Sequence, residues 1–430
     1  MPRLLLLLPP RTYREEAFLD AARRLKLDVT VASGEAIGEP LRLPQDFLPL
    51  HLHDFDDAVR TVVAFARHHP IHVVIGVDDR TTVLATRIAA ALGLPHNPVE
   101  SVEAAHNKHR MRQLLHEQGV PVPWFAAWPL DADPAALVDT IPFPCVVKPL
   151  TLSASCGVIR ANHAADFVAA FERVATLLRQ LGVAATEDAG RQLLVEEFVP
   201  GREVALEGML TNGELRVLAC FDKPDPLDGP FFEETLYVTP SRHPQQVQDE
   251  IQACAAAATK ALGLQEGPVH GEFRINDRGV WVIEIAARSI GGRCSRTLRF
   301  AADLSLEELT LRQLLRMEIP SYAREAKAAG VMMLPIPYPG TFKEMRGQRA
   351  AREVPGIEEL TITAKPGDLL VPLPEGTRYL GFLFARADTA DAVETALREA
   401  HRRLDVVISV GQGPDRHGSS LASGPMQVNF

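Results

Sequence analysis

The sequence predicts a mixed fold, α/β at the start and α+β afterwards, with a parallel α/β layer ahead of lobes built on antiparallel hairpins. Three observations carry this reading. The N-terminal third alternates apolar runs with amphipathic stretches, the pattern of successive βαβ units. Two strand–turn–strand segments follow, one around Pro200-Gly201 and one around Asn276–Gly279. From about Val331 onward, apolar strands and Pro-Gly turns surround a single late helix.

In the first third, Arg3 to Leu8 reads as a strand, Arg14 to Leu25 as an amphipathic helix and Val29 to Ala32 as a strand. Phe55 to His68 is helical, Ile71 to Val77 a strand, and Thr81 to Leu92 a helix that Gly93 ends. The five-leucine run Leu4–Leu8 is closed by Pro9 and Pro10. It is too short for a secretory core or a membrane span, so a buried first strand is expected. No Gly-x-Gly-x-x-Gly follows it, so a dinucleotide reading lacks its phosphate loop. Further on, Ala164 to Leu181 is an amphipathic helix and Gly182 to Arg191 an exposed loop. Ile251 to Leu262 is an alanine-rich helix stopped by Gly263, Leu306 to Met317 is a helix ended near Pro320, and Ala390 to Leu404 is the helix of the last lobe.

Composition bounds the function. A chain of 430 residues, 46% hydrophobic, has room for about three domains on a prior of ~150 residues each. The net charge of −10 and pI near 5.8 argue against a nucleic-acid or membrane-surface role, since counterion release needs a basic face. Cys145, Cys156, Cys220, Cys254 and Cys294 show no paired short spacing. They predict neither a zinc site nor a redox pair, and a reducing, cytoplasmic compartment is the simplest setting. A homodimer is the default for oligomeric state.

The chemistry lies in three segments. VHGEFRINDRGVWVIEIAARSIGGRCSR, from Val269 to Arg296, sets Glu272 and Glu284 on adjacent strands and delivers Arg288 four residues later. Carboxylates are ligands that Mg²⁺ prefers, and a guanidinium can hold a carboxylate or acyl phosphate through paired hydrogen bonds. FPCVVKPLTLSASCG, from Phe143 to Gly157, is an apolar strand carrying Lys148, followed by a loop with Ser153, Ser155 and Gly157. Small residues let backbone N–H groups approach phosphate, hydroxyls add donors, and the lysine adds a point charge. LLVEEFVPGREVALEG, from Leu193 to Gly208, places Glu196 at one strand end and Glu203 at the next strand start. These carboxylates can accept from an adenine amine and ribose hydroxyls, with the backbone at Phe198 reading the purine edge. Taken singly, each of these residues is an ordinary solvated side chain.

In order, NKHRMRQLLHEQGVPVP, VVKP with its loop, EEFVPGREVALEG, and HGEFRI followed by VIEIAARSIGG resemble the ATP-grasp superfamily over most of the chain. The resemblance implies ATP and magnesium (or manganese) as cofactors. It implies that Lys108 and Lys148 contact phosphates, Glu196 the adenine and Glu203 the ribose, and that Glu272 and Glu284 hold the metal. One departure is Ala286, where many members carry asparagine. It implies that water supplies an oxygen to one metal ion. His106 and His109 flank Lys108 on the expected helix there and read as surface histidines.

The alanine version, EIAARSIGG, is similar to bacterial L-amino-acid (dipeptide) ligases and to carnosine-synthase-like carboxylate–amine ligases. Phe221 to Pro224 and Glu233 to Pro240 resemble the segment those ligases place over the amino-acid site. That implies an ammonium held by Glu234, a pocket lined by Tyr237 where those ligases often have histidine, and an acceptor end at Gly291 and Gly292. The implied domains are an N-terminal layer over 1–121, a lid lobe over 122–208, a metal-binding lobe over 209–330, a C-terminal α+β lobe over 331–410 and a flexible tail over 411–430.

The expected activity is ATP- and Mg-dependent amide formation between a carboxylate and a small-molecule amino acid or amine, through an acyl phosphate, with release of ADP and phosphate. Lys148 and Arg288 are the expected catalytic residues, and no nucleic acid or membrane is involved. Alternatives are a biotin-carboxylase-like or nucleotide-precursor enzyme of the same superfamily, and an ATP-binding regulatory module without chemistry. Retention of Lys108, Lys148, Glu272, Glu284 and Arg288 together favours turnover, because a scaffold has no use for a guanidinium at the acyl position.

Overall fold

The structure is a computed structural model that describes residues 1–9, 12–34, 46–186 and 188–409. The tail expected to be flexible lies outside the described residues. The N-terminal layer is a parallel four-stranded sheet in the order Asp46–Pro49, Asp28–Ser33, Arg3–Leu7, Val73–Gly76. The leucine run is its buried central strand. Leu5 and Leu7 pack on one face and Leu4, Leu6 and Leu8 on the other, all at most 2% exposed. This explains a run with no polar alternation, since a parallel strand is covered on both sides. The strand Asp46–Pro49 was not legible in sequence, being four residues long and ending in proline.

A second, antiparallel sheet has the order Phe125–Pro129, Gln192–Glu197, Cys145–Pro149, Ile159–Ala161. The helix Ala164–Gln180 buries Phe167, Phe171 and Val174 against it. The segment Gly182 to Arg191, expected as a loop, contains the short helical turns Val183–Thr186 and Asp188–Arg191. At four residues each, these turns are too short to show a helical period.

The third sheet joins eight strands: Gly279–Ala286, Gly267–Asn276, Arg202–Thr211, Glu214–Asp222, Leu236–Thr239, Ala328–Leu334, Gly381–Ala387 and Ile357–Ile362. The expected division at 208 therefore lies inside the strand Arg202–Thr211, and the chain changes sheets at the Pro200-Gly201 turn. The strands expected to form a C-terminal lobe extend this same sheet through the pairing of Leu236–Thr239 with Ala328–Leu334. The helix Ala390–Arg402 covers that end. The alanine-rich helix begins at Gln245, six residues ahead of its apolar pattern, because Pro244 starts it and its first turns are solvated. The helix expected through 106–109 is two helices, Val99–His106 and Lys108–Glu117. Asn107 is extended between them, and its side chain accepts from the N–H groups of His109 and Arg110, as an N-cap does.

Gly330 shows how tightly the C-terminal helix seats. A Cβ there would lie 2.7 Å from Val393 Cγ1 and 2.8 Å from the Tyr237 carbonyl oxygen. Gly330→Ala should therefore lower stability by about 1–3 kcal/mol through overpacking. A urea midpoint equal to that of the parent would show that the helix does not press on this strand.

Candidate active site

One cavity of about 860 Å³ opens where the N-terminal layer, the second sheet and the eight-stranded sheet meet. It is lined by Lys108, Lys148, Ser153, Ser155, Glu196, Phe198, Glu203, Glu234, Tyr237, Glu272, Glu284, Arg288, Gly291 and Gly292. Residues from many separate segments of the chain thus meet around one space. Gly157 is the exception and does not line it. Its N–H donates to the Pro374 carbonyl at 2.8 Å, its φ is +70°, and a Cβ would meet Pro149 at 2.8 Å. Gly157 is thus required by backbone shape and packing.

The buried Lys148 ammonium is 2.5 Å from Glu196 Oε2, while Arg112 Nε donates to Glu196 Oε1 at 2.7 Å. Burial pushes the Glu196 carboxyl pKa up, but Arg112 and Lys148 outweigh it and hold the group below its ordinary range. Burial lowers the Lys148 pKa, against the pull of Glu196. Within the backbone around Phe198, expected to read a purine edge, the Phe198 N–H donates to the Pro144 carbonyl at 2.9 Å. That donor is already used in the strand edge, which the local sequence does not reveal. Lys108 ties two segments together, with Nζ donating to the Leu152 carbonyl at 2.8 Å and to Glu284 Oε1 at 3.1 Å.

Glu272 and Glu284 are direct register partners in the hairpin, with a bulge just after Glu272. The Asn276–Gly279 turn that sequence chemistry indicated connects the two strands. Glu272 belongs to a second cluster that was not foreseen. Lys223 Nζ donates to Glu203 Oε1 at 2.8 Å, Glu234 Oε1 at 2.5 Å and Glu272 Oε1 at 2.9 Å. Arg274 Nε donates to the other oxygen of Glu203 at 2.9 Å. Burial, then the repulsion of Glu272, raises the Glu234 pKa to about 7. Behind Glu272, His270 Nε2 lies 3.4 Å away and its Nδ1 is 2.5 Å from Glu207. The second Glu207 oxygen accepts from the Ile290 N–H at 3.1 Å. One buried carboxylate thus joins the hairpin to the loop that carries Gly291 and Gly292.

Arg288 is gripped from the N-terminal layer. Its Nε and Nη2 each donate at 2.7 Å to the two oxygens of Asp79, at the start of the helix Asp79–Ala91. Asp79 was missed because 209 residues separate it from Arg288, and Asp78-Asp79 reads as a helix start and nothing more. Its carboxyl pKa is lowered to about 2, because Arg288 overcomes the effect of burial. Gly292 has φ +59°, whereas a Cβ on Gly291 would meet nothing within 4 Å. Gly291 is therefore the place where a side chain can enter the cavity without backbone strain.

Glu203, Glu234 and Glu272 each offer an oxygen, all within 4.8 Å of one another, but the Lys223 ammonium already donates to all three. Glu272 and Glu284, register partners that line the same cavity, are the carboxylates whose chemistry fits a hard divalent cation. Among the described residues, no helix is long and apolar enough to cross a membrane.

The sequence carries known domains. Residues 141–297 match the ATP-grasp domain, 19–96 the ATP-grasp N-terminal domain and 332–409 the L-amino acid ligase C-terminal domain 2. The chain belongs to the ATP-grasp superfamily, and it is similar to carboxylate–amine ligases of that superfamily. The structure superposes on an L-amino acid ligase from Bacillus licheniformis with a TM-score of 0.79, at 23% identity, over 95% of this chain and 99% of that one. Alanine–anticapsin ligase from Bacillus subtilis is 24% identical over 370 residues, 81% of this chain and 75% of the relative. A carboxyaminoimidazole ribonucleotide synthase from Aspergillus clavatus, solved with ATP, gives a TM-score of 0.70 at 18% identity over 94% and 99% of the two chains.

The Arg288–Asp79 pair has a pH signature. Asp79 is lowered from 3.8 to about 2 in the fold, so its stabilisation is complete above 3.8 and lost as pH falls through 2. The stability advantage of the parent over Asp79→Asn should shrink by about 2 kcal/mol between pH 4 and pH 2. A urea-unfolding difference that stays constant over that window would mean Arg288 does not set the carboxylate.

Proposed function

We propose that the protein is an ATP- and Mg-dependent carboxylate–amine ligase that joins two amino acids, or an amino acid and a similar amine, through an acyl phosphate. The observation that carries this reading is the convergence on one cavity of Lys108, Lys148, Glu272, Glu284 and a clamped Arg288. Lysines and carboxylates suffice to bind a nucleotide. The guanidinium beyond the hairpin serves a second anion.

Lys148 and Lys108 offset charge on the phosphates, and each now rests on a carboxylate. When Lys148 turns to a phosphate, the Glu196 oxygen it leaves can accept from an adenine amine, with Arg112 still holding the other oxygen. Glu203, fixed by Arg274, faces the ribose. Glu272 and Glu284 would hold magnesium, which lowers the repulsion that an anionic nucleophile meets at the γ-phosphate. Arg288 offers its fork to the donor carboxylate in competition with Asp79. The carboxylate oxygen attacks γ-phosphorus and the bond to ADP breaks. The acceptor nitrogen then attacks the acyl carbon, phosphate leaves, and the nitrogen loses a proton. Arg288 stabilises the charge that develops on the acyl oxygen. Glu234 offers its carboxylate to a substrate ammonium, in competition with Lys223.

The test is a screen of amino-acid pairs with ATP and magnesium, read by ADP and phosphate formation and by product mass. Arg288→Ala should cut kcat by about 100-fold or more and shift the KM for ATP by less than about threefold. Lys148→Ala should do the reverse in emphasis, weakening ATP first. A rate unchanged in both variants would remove these assignments. Gly291→Trp should narrow the range of acceptors without loss of fold, because its side chain fills open cavity. Identical acceptor profiles in variant and parent would contradict this.

A further inference from the structure

A second compartment of about 270 Å³ adjoins the main cavity, and Tyr13, Arg14, Gly292 and Arg293 line both. On its far wall stands Glu307, 3% exposed, in the first turn of the helix Leu306–Leu314. Among the described residues Glu307 makes no hydrogen bond and no ion pair, and its Oε1 is buried without a partner. The helix dipole favours a carboxylate in that turn but donates nothing to it. A buried carboxylate left without a donor is costly.

The other arginines on this wall are already matched. Arg24 is 3.2 Å from Glu308, Arg293 3.5 Å from Glu16, Arg296 3.0 Å from Glu359 and Arg299 3.0 Å from Glu358. Only Arg14 has no carboxylate within 4 Å among the described residues. Its Nη1 donates to the Val77 carbonyl at 2.6 Å and the Ser289 carbonyl at 3.2 Å, its Nη2 to Ser289 Oγ, and its Nε has no partner. Arg14 and Glu307 feel each other's charge across this space but share no hydrogen bond and no ion pair within 4 Å.

Arg288 lines the main cavity and not the second compartment, Arg14 lines both, and Glu307 lines only the second. The wall the two spaces share includes Gly292, and a Cβ on the neighbouring Gly291 would meet nothing within 4 Å.

We propose that this compartment receives the cationic side-chain end of a basic acceptor amino acid, with the ammonium or guanidinium on Glu307, the α-carboxylate on Arg14 and the α-amine left at the Arg288 end to react. This rests on the ligase reading and names one substrate class for it. A molecule of that class supplies the three charges in the order the walls present them.

The test compares lysine with norleucine, which has nearly the same reach and no end charge, as acceptors for the full chain. In the unmodified protein, kcat/KM for lysine should exceed that for norleucine by on the order of 100-fold. In Glu307→Gln the ratio should fall to within about threefold, through the KM for lysine, since a neutral amide cannot match an ammonium. Lysine binding without ATP, followed by calorimetry, should weaken in the variant in the same proportion. Equal kcat/KM for the two acceptors in the unmodified protein, or a lysine preference that survives Glu307→Gln, overturns the proposal. Absence of turnover with every pair would sink the ligase reading. Calorimetry would then still decide this proposal, and undetectable or equal lysine binding in the two proteins would overturn it. If Glu307→Gln does not fold, the lysine–norleucine ratio in the unmodified protein decides alone.

Discussion

The ammonium of Lys223, set among Glu203, Glu234 and Glu272, is the interaction on which the arrangement of the site depends. Three carboxylates from two strands and a loop converge there, and their mutual repulsion in a partly dry cavity would push the strand ends apart. The lysine at the end of the strand Glu214–Asp222 balances part of that charge, and Arg274 and His270 balance more from behind. The burial of Lys223 would ordinarily lower its pKa, yet the three carboxylates raise it well above the usual lysine value. It therefore remains charged at any working pH. The same logic recurs around the cavity, with Lys148 and Arg112 on Glu196, Lys108 on Glu284 and Arg288 on Asp79. Each residue proposed to meet a phosphate, a metal ion or a carboxylate is paired with a charge from the chain itself.

Such pairing fits exchange better than rigidity. A buried pair contributes little net stability compared with apolar packing, but removing one partner strands the other. A ligand that replaces one partner with an equal charge leaves the balance intact. Binding then competes with an internal ion pair and meets no bare charge, which moderates affinity and keeps the empty site folded. The Glu207 bridge from His270 to the Ile290 N–H adds a mechanical link. The hairpin carboxylates and the glycine loop share one buried acceptor, so a shift at one end is felt at the other.

Much of this was legible in the chain because it is local. The Asn276–Gly279 turn sets Glu272 opposite Glu284, the Pro200-Gly201 turn separates Glu196 from Glu203, and a run of five leucines suits only a strand covered on both faces. What stayed hidden is long-range. Nothing near Asp79 announces Arg288, and Lys223 shows its role only when strands from three parts of the sequence lie side by side. Gly157 looked like part of a phosphate loop because small residues serve close packing and ligand approach alike, and the use of the Phe198 N–H stayed hidden because a strand edge cannot be seen before its neighbour is known. The continuity of the eight-stranded sheet escaped for the same reason, since Leu236–Thr239 is short and its partner lies some 90 residues on.

The central claim is that these matched charges serve one event, the transfer of a γ-phosphoryl group to a substrate carboxylate. Oxygen-18 in the donor carboxylate tests it most directly. If the carboxylate attacks γ-phosphorus and the amine then expels phosphate, the inorganic phosphate carries one labelled oxygen for each amide formed, and the nucleotide product is ADP. Unlabelled phosphate, or AMP with labelled nucleotide, would contradict the account.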